Sequence, residues 1–205
     1  MSLPPPRLVL ASSSPYRKAL LQRLGLPFTT FAPVVDESRR AGEAAADMVM
    51  RLAREKARAV AARFPAAVII GSDQAATLGS QTLGKPGDFL RAAEQLTLMR
   101  GRPVTFLTGI CVLDATQGGE QTECVPYTVH MRNYTDEELQ SYLLREQPYD
   151  CAGSFKSEGL GIALIEKMSG DDPTALIGLP LIAVTRMLAR AGINVFAPVS
   201  HSSAQ

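Results

Sequence analysis

Two short apolar runs, each followed at once by small polar residues, constrain the fold of this chain most strongly. The run from Leu8 to Ala11 is followed by three serines, and the run from Val68 to Ile70 is followed by Gly71-Ser72-Asp73-Gln74. A short continuous apolar run between turn residues is typical of a buried strand. The sequence therefore predicts two buried strands, the second of which ends at Asp73.

Helical patterns alternate with these strands, and a hairpin follows in the middle of the chain. Ser14-Pro15 is a favourable start for a helix, and Thr135 followed by three acidic residues resembles a capping box. The predicted helices are 15–24, 46–64, 89–99, one that opens at Thr135, and 179–191. The other predicted strands are 28–31, 104–114, 123–132 and 162–165, with Gly118-Gly119 in the hairpin turn. This order predicts a three-layer α/β fold with a mixed sheet, as a single domain over residues 1–205 with a polar tail from about residue 196.

Composition and charge narrow the classes of function. Of the 205 residues, 46% are hydrophobic, and the formal net charge is +1. This balance disfavours a polymeric nucleic acid partner, whereas a small anionic ligand needs only a local cationic pocket. Three cysteines without a CxxC pair favour a reducing compartment, and no leader or apolar span is apparent. We therefore expect a cytoplasmic protein without a membrane partner. Only two histidines are present, which leaves acid–base chemistry to Asp or Glu.

Lys56 is the least expected residue of the second helix. The apolar stripe of this helix, at about 100° per residue, is formed by Val49, Leu52, Ala53 and Val60. Lys56 falls in the middle of that stripe, whereas Arg51, Arg54 and Arg58 fall on the opposite side, where solvated charges are expected. Because an unpaired charge is costly to bury, we expect Lys56 to meet an anionic ligand or carboxylates. The alternative is an ammonium group that reaches past the core to water.

Carboxylates near two strand ends are candidates for metal binding and acid–base chemistry. Asp73 closes an apolar strand, and ligands of open α/β sheets collect where strands end; the alternative is an aspartate that caps a turn. Asp36 and Glu37 lie in a polar loop after another strand and could complete an oxygen-only site, although such a pair is usually only solvated. Oxygen ligands without histidine suit Mg²⁺ or Mn²⁺.

Three further segments are candidates for binding a ligand. Arg17 lies in the first turn of a helix, where the dipole favours anions over cations, so an anion could bind there together with backbone N–H groups; an exposed basic residue is the alternative. Residues 79–86 approach a Walker motif, but Pro86 occupies the position that requires Ser or Thr. What remains is a rigid turn that directs Lys85 toward a phosphate. Residues 151–161 form a polar loop that could close over a base, although a plain surface loop is the more frequent outcome.

A series of short motifs runs through nearly the whole chain. It opens with Leu10-Ala11-Ser12-Ser13-Ser14-Pro15-Tyr16-Arg17-Lys18-Ala19-Leu20-Leu21. It continues with Val35-Asp36-Glu37, Arg54-Glu55-Lys56-Ala57, Gly71-Ser72-Asp73-Gln74, Gly84-Lys85-Pro86, Thr108-Gly109, Ala152-Gly153-Ser154-Phe155 and Ile177-Gly178-Leu179-Pro180. Each motif alone is weak, but the ordered series is specific, and it resembles the Maf nucleotide pyrophosphatases.

The resemblance implies an elongated, two-lobed architecture of the Maf and ITPase-like kind with a central cleft, often in a homodimer. It implies metal-dependent cleavage of a small nucleotide between its α- and β-phosphates. By position, Asp73 matches the family's proton acceptor. The positions that handle phosphate and metal are matched by Ser12, Arg17, Lys56 and Lys85 for phosphate, and by Glu37 and Asp73 for Mg²⁺ or Mn²⁺.

Three positions resemble the branch of the family that acts on 7-methyl-GTP. They are Tyr16, Gln74 and Glu158, where the branch that acts on dTTP and UTP resembles Arg, Thr and Gln. A 7-methylated guanine is positively charged, so the aromatic face of Tyr16 could attract it, and Glu158 could accept from its N–H edge. The alternatives are the same reaction on dTTP or UTP, and a non-catalytic nucleotide sensor that regulates cell division. The set Asp73, Lys56 and Lys85 argues against the sensor, since a pure binder needs no positioned base.

Overall fold

The architecture is a mixed β-sheet between helices, and a computed structural model describes residues 7–197 of it. The strands are β1 (Arg7–Ala11), β2 (Phe28–Thr30), β3 (Ala67–Leu78), β4 (Gln81–Leu83), β5 (Pro103–Asp114), β6 (Gly119–Met131) and β7 (Ile165–Ser169). The helices are α1 (Pro15–Gln22), α2 (Ala45–Ala61), α3 (Phe89–Met99), α4 (Asp136–Glu146) and α5 (Leu181–Arg190). Short 3₁₀ helices cover Ala152–Ser154, Leu160–Leu164 and Pro173–Ile177.

The register of the sheet creates a gap beside β3. The strand order is β2-β1-β3-β5-β6-β7, with β4 paired to the far end of β3. β1 runs parallel to β2 and β3, and the remaining neighbours are antiparallel. β1 ends where Ala11 lies opposite Gly71, and β4 begins to pair only at Ala76. Within the described part of the chain, residues 72–75 of β3 therefore have a strand neighbour on one side only.

Helices cover both faces of the sheet. Because side chains alternate along a strand, Val9 and Ile69 pack toward α2, whereas Leu8 and Leu10 pack into the core that includes α1 and α5. The α/β class, the mixed sheet and the three layers predicted from the sequence are confirmed. Between residues 7 and 197, no helix combines the length and the apolar composition needed to cross a bilayer.

Three long strands, β3, β5 and β6, continue from this three-layer half into a second half of the molecule. There β4 pairs with β3, β7 pairs with β6, and α3 packs against α4. The largest hydrophobic cluster runs through both halves, from Leu10 and Ile70 to Phe106, Met99 and Leu139. The two halves therefore share one continuous core on that side of the sheet.

The predicted capping residues are found at the helix starts. Ser14 Oγ accepts from the backbone N–H of Arg17 (3.4 Å). Thr135 and Glu138 form the predicted capping box, in which each side chain accepts from the other residue's backbone N–H. Helices α1 and α2 end two to three residues earlier than predicted, at Gln22 and Ala61, which is the usual uncertainty of helix boundaries.

Two predicted strand ends are wrong. Asp73 lies in the middle of β3, because residues 71–74 pair with β5 and the ladder of hydrogen bonds outweighs their turn-like composition. The strand expected at residues 162–165 is a 3₁₀ helix up to Leu164, and β7 begins only at Ile165. A Cβ atom at Gly161 would lie 2.3 Å from the carbonyl oxygen of Lys156, so a tight packing of the loop on itself replaces the strand.

The predicted solvation of Arg51 is also wrong. Arg51 lies on the side of α2 away from the apolar stripe, but only 9% of the residue is exposed. The segment between β2 and α2 folds over this side, and Glu43 accepts two hydrogen bonds from the guanidinium. The predicted polar tail from about residue 196 falls largely on residues 198–205, which lie outside the described residues.

The close approach of α2 to β5 predicts a strong effect of one added methyl group. A Cβ atom at Gly109 would lie 2.2 Å from the carbonyl oxygen of Val49 in α2. We expect Gly109→Ala to lower the free energy of unfolding by about 1–3 kcal/mol in urea titrations, because the helix must move off the strand. Gly119→Ala is the control, since its Cβ would meet no heavy atom within 4 Å; its effect should stay within about 0.5 kcal/mol. Equal stability of the two variants would contradict this account.

Candidate active site

A cavity of ≈ 570 Å³ lies at the gap in the sheet, next to the end of β1. Its walls come from the β1–α1 connection, the segment between β2 and α2, one side of α2, the middle of β3, the β4–α3 loop, residues 150–158 and the end of the 3₁₀ helix Pro173–Ile177. This volume is typical of a small-molecule site. The site residues that line it are Ser12, Tyr16, Arg17, Glu37, Lys56, Asp73, Gln74, Lys85 and Glu158. Asp36, the other candidate carboxylate, does not line the cavity; it is exposed and bonds Ser38.

The ammonium group of Lys56 joins two carboxylates at the floor of the cavity. Its Nζ lies 2.6 Å from Oδ1 of Asp73 and 2.7 Å from Oε1 of Glu37. The side chains of Lys56 and Asp73 are 8% and 11% exposed, whereas that of Glu37 is 56% exposed. The prediction that Lys56 faces inward and meets carboxylates is confirmed, and the alternative of an ammonium group that reaches water is wrong.

The alternation of β3 explains why Asp73 meets this helix. Asp73 lies on the same face of the strand as Ile69 and Ala75, and both of those side chains pack against α2. The strand therefore directs the carboxylate toward α2, and the inward stripe of the helix supplies Lys56. The premise that Asp73 ends a strand was wrong, but β1 ends beside it, which leaves the same open edge for a ligand.

The positive charges around Glu37 favour the ionised form of its carboxyl group. Burial alone would raise the pKa of its carboxyl group, but the hydrogen bond from Lys56 and the charges of Lys56, Lys85 and Arg17 outweigh it. The net result is a pKa of Glu37 below the ordinary value of a glutamate. The segment that carries Glu37 is therefore drawn toward the cavity by charge.

Arg17 is held by the backbone of a distant segment. Its Nε donates to the carbonyl oxygen of Gly178 (2.8 Å), and Oγ of Ser72 donates to the same oxygen (2.8 Å). Burial lowers the pKa of the Arg17 guanidinium from its ordinary value, and the charges of Asp73 and Glu37 act in the opposite direction. The guanidinium thus adds a fixed cation to the cavity.

At the N-terminal end of α1, serine hydroxyl groups accept hydrogen bonds from two backbone N–H groups. Ser12 Oγ accepts from the N–H of Ser14 (3.1 Å), and Ser14 Oγ accepts from the N–H of Arg17. An anion at this helix end would therefore find those two N–H groups engaged. The hydroxyl hydrogen of Ser12 and the guanidinium of Arg17 are among the donors that this region can offer to it.

The turn that carries Lys85 is anchored on both sides. The carbonyl oxygen of Gly84 accepts from the N–H of Gly153 (3.2 Å), and the N–H of Gly87 donates to the carbonyl oxygen of Tyr149 (3.0 Å). Gly87 has a φ of +80°, a conformation that glycine adopts without strain. The turn therefore fixes the backbone of Lys85 at the edge of the cavity, as the sequence predicted for a rigid turn.

Elsewhere in the cavity, the ring of Tyr16 lies beside a third lysine, Lys156. Nζ of Lys156 is 5.6 Å from the centre of the Tyr16 ring and donates to Oε1 of Glu146 (2.7 Å). Burial raises the pKa of the Tyr16 hydroxyl, with Cys151 and Asp150 adding to it. Glu158 is exposed at the rim. This part of the cavity combines an aromatic face with carboxylates.

Gln74 is engaged with the protein more than the sequence suggests. Its amide nitrogen donates to the hydroxyl of Thr108 (3.0 Å) and to the carbonyl oxygens of Ala175 (2.8 Å) and Leu176 (3.0 Å). These bonds tie β3 to the 3₁₀ helix Pro173–Ile177. The amide oxygen is the atom that Gln74 can present to a ligand.

The loop formed by residues 151–161 packs two of its side chains into the protein core. Ser154 and Phe155 are 0% and 5% exposed, and Ser154 Oγ donates to Oε1 of Gln95 (2.6 Å). The ring of Phe155 lies 5.8 Å from that of Phe106. The expectation of an ordinary surface loop is therefore wrong at its centre, because two of its side chains belong to the core.

Sequence reasoning missed two residues that shape the site. Gly178 binds Arg17 through its carbonyl oxygen. The sequence did contain a signal for it, because it belongs to the motif Ile177-Gly178-Leu179-Pro180. In the structure its φ is +108°, a conformation that favours glycine. Lys156 carried no such signal, since a lysine in a polar loop is ordinary in a sequence. Its role depends on Glu146, ten residues earlier in the chain.

Glu37 and Asp73 are the residues that could hold a metal ion. Among residues 7–197, no group of three or more His, Cys, Asp or Glu side chains is placed to hold one. The donors that converge are two carboxylates, which share one Lys56 nitrogen. Mg²⁺ is commonly bound by one or two carboxylates together with substrate phosphates and water. The donor set therefore fits a hard divalent cation that arrives with a phosphate ligand.

Fold and cavity together define a class of protein: an α/β protein with a cleft that combines Lys56, Arg17 and Lys85 with two carboxylates and the aromatic ring of Tyr16. Residues 7–191 match the model of the protein family described as "Maf-like protein". The chain therefore belongs to the Maf-like family, which confirms the resemblance seen in the sequence.

Relatives of high identity span nearly the whole chain. A protein of Pseudomonas savastanoi pv. phaseolicola is 56% identical over 190 residues, which cover 93% of this chain and 99% of the relative. One of Methylobacillus flagellatus is also 56% identical over 190 residues, with the same coverage. One of Nitrosococcus oceani is 53% identical over 198 residues, covering 95% of this chain and 100% of the relative. Each of these proteins is named 7-methyl-GTP pyrophosphatase.

Removal of Lys56 should change the titration of Glu37. In Lys56→Met the burial that raises the pKa of Glu37 persists, while the hydrogen bond and the nearest charge that lower it are lost. We expect the pKa of Glu37 to rise, as measured by ¹³C NMR on protein labelled at glutamate. Lys167→Met, at an exposed position of β7, should leave that pKa in place. An unchanged pKa in Lys56→Met would contradict the ion pair.

Proposed function

We propose that this protein hydrolyses 7-methyl-GTP to 7-methyl-GMP and diphosphate. The observation that carries the proposal is the Lys56 ammonium group between Glu37 and Asp73, inside a cleft that also contains Arg17 and Lys85. Relatives with 53–56% identity and nearly full coverage bear the name 7-methyl-GTP pyrophosphatase. The reaction makes the protein a hydrolase that acts on an acid anhydride.

The cationic end of the cleft binds the triphosphate. Arg17, Lys56 and Lys85 supply positive charge from three different segments, and the Ser12 hydroxyl supplies a hydrogen-bond donor. Phosphoryl transfer depends mainly on positioning and on neutralising the charge of the phosphate oxygens. The anchored positions of Arg17 and of the Lys85 turn reduce the reorganisation needed when the substrate binds.

Asp73 accepts the proton of the attacking water. Lys56 engages Oδ1 of Asp73, so Oδ2 is the atom left to receive a proton. The carboxylate lies on a central strand, which gives it a fixed position relative to the phosphate end. Water activated there attacks the α-phosphate, and diphosphate leaves.

Glu37 and Asp73 would hold the divalent cation, Mg²⁺ or Mn²⁺. When bound, such an ion neutralises phosphate charge and makes the α-phosphate a better electrophile. The two carboxylates already approach one cation, the ammonium group of Lys56, and this pairing supports the proposal that they attract positive charge.

The aromatic end of the cleft binds the base. The ring of Tyr16 attracts the positive charge of a 7-methylated guanine, and Glu158 accepts from its N–H edge. Gln74 contributes through its amide oxygen and by holding the 3₁₀ helix Pro173–Ile177. The cytoplasmic location and the homodimer remain predictions.

Asp73→Asn tests the proposed reaction. We expect diphosphate release from 7-methyl-GTP, measured with Mg²⁺ or Mn²⁺, to fall by roughly 10²–10⁴-fold, because general-base catalysis contributes about that much. The amide keeps the shape of the carboxylate, so the thermal midpoint should identify a folded variant. Asp171→Asn, at an exposed position, is the matched control and should turn over normally. Normal turnover of Asp73→Asn would refute the assignment of the base, and 7-methyl-GTP binding by wild type without any diphosphate release would favour a nucleotide sensor.

A double substitution tests the choice of base. Gln74→Thr with Glu158→Gln introduces the residues that resemble the dTTP and UTP branch. We expect the ratio of kcat/KM for 7-methyl-GTP to that for UTP to fall at least about 10-fold, because the N–H edge of guanine loses its acceptor. Glu166→Gln, exposed on β7, controls for the loss of a carboxylate. A wild-type protein that prefers dTTP or UTP would replace the proposed substrate with the alternative.

A further inference from the structure

The segment that carries Glu37 lacks regular secondary structure, yet it contributes a carboxylate to the site. Residues 31–44 connect β2 to α2, and residues 36–42 are exposed. An exposed segment of this kind loses considerable backbone entropy when it is fixed, on the order of 1–2 kcal/mol per residue. Contacts outside the cavity must therefore fix the position of Glu37.

Arg51 of α2 supplies these contacts. Its Nε and Nη2 donate to the two carboxylate oxygens of Glu43 (2.6 and 2.8 Å), and Nη1 donates to Oε2 of Glu55 (3.1 Å). Nη2 also donates to the carbonyl oxygen of Ser38 (3.1 Å). A forked, charge-assisted pair of this kind is stronger and more directional than a neutral hydrogen bond. The guanidinium thus binds the segment at two points, one of which is adjacent to Glu37.

Hydrogen bonds within the segment itself add to the contacts that Arg51 makes with Ser38 and Glu43. Oδ1 of Asp36 accepts from the N–H of Ser38 (2.9 Å), which forms a tight turn with Glu37 at its centre. The guanidinium of Arg39 donates to the carbonyl oxygen of Glu43 (2.9 and 2.7 Å). The hydrogen bond from Arg51 keeps the pKa of Glu43 at about 2, so the pair stays charged at neutral pH.

One helix therefore fixes Glu37 from two sides. Lys56 bonds the carboxylate of Glu37 (2.7 Å), and Arg51, five positions earlier in α2, bonds the backbone of the next residue, Ser38. Lys56 is shared with Asp73, whereas Arg51 bonds the segment and Glu55 of its own helix and does not line the cavity. We propose that Arg51 is the positioning residue that places Glu37 in the active site.

The inference rests on the proposed function, in which Glu37 binds metal and phosphate. If Arg51 acts through Glu37, its loss should reduce catalysis only as long as Glu37 is present. A general structural role would reduce activity in either background. The two possibilities therefore differ in a double-mutant cycle, in which coupled residues give non-additive effects.

The experiment compares Arg51→Lys and Glu43→Gln with Arg58→Lys. Arg58 is the matched control, because it lies on the same helix and also binds a glutamate through two hydrogen bonds, but at an exposed position. We expect kcat/KM for 7-methyl-GTP to fall about 10- to 100-fold in the first two variants, with a higher Mn²⁺ concentration needed for half activation. In a Glu37→Gln background the same substitutions should change kcat/KM less than about twofold.

Hydrogen exchange gives a readout that does not depend on activity. Amides of residues 34–44 should exchange faster in Arg51→Lys and Glu43→Gln than in wild type, and at the wild-type rate in Arg58→Lys. Unchanged exchange in both Arg51→Lys and Glu43→Gln, or equal losses of kcat/KM with and without Glu37, would overturn the inference. A wild-type protein that does not cleave 7-methyl-GTP would refute the proposed function instead, and the exchange rates would still decide whether Arg51 holds the segment.

Discussion

The shared hydrogen bonds of Lys56 are the interaction on which the cleft depends. One nitrogen links a helix, a central strand and an irregular segment through Asp73 and Glu37. Two carboxylates near the interior would repel each other without it, and a buried charge that loses its partner is strongly destabilising. The cations around them, from Lys56, Lys85 and Arg17, outweigh that acidic pair. The phosphate end of the cleft is therefore ordered and still attractive to a polyanion.

This arrangement requires the backbone of α2 to lie very close to the sheet. A Cβ atom at Gly71 would be 2.1 Å from the carbonyl oxygen of Ala53, and one at Gly109 would be 2.2 Å from that of Val49. Two of the motifs that mark the family therefore contain a glycine for a packing reason. Without these glycines the helix would lie farther from β3, and Lys56 would have to extend farther to reach Asp73.

The sequence was sufficient for the fold class and for most residues that line the candidate site, but not for the bonds that connect them. The inward position of Lys56 follows from helical periodicity, and the buried strands follow from their apolar runs. The length of β3 could not be predicted from the sequence, because pairing with β5 overrides the turn-like composition of residues 71–74. The burial of Arg51 was missed for a related reason: a helical wheel shows which side a residue occupies, but not which distant segment covers that side. The ordered motifs located the site residues, whereas the bonds of Gly178 to Arg17 and of Lys156 to Glu146 join positions that no local pattern relates.

The uninterrupted course of β3 has a consequence for how the cleft can move. Its ladder with β5 runs without a break from Val68 to Thr77, past the cavity and into both halves of the molecule. A hinge between the halves would have to bend this ladder and weaken its hydrogen bonds, which is unfavourable for buried backbone groups. Opening and closing of the site must therefore come from loops and side chains at its rim. The strand therefore keeps Asp73 and Gln74 in place, while the side chains of Lys85 and Glu158, which lie on loops, are free to adjust to the molecule that fits.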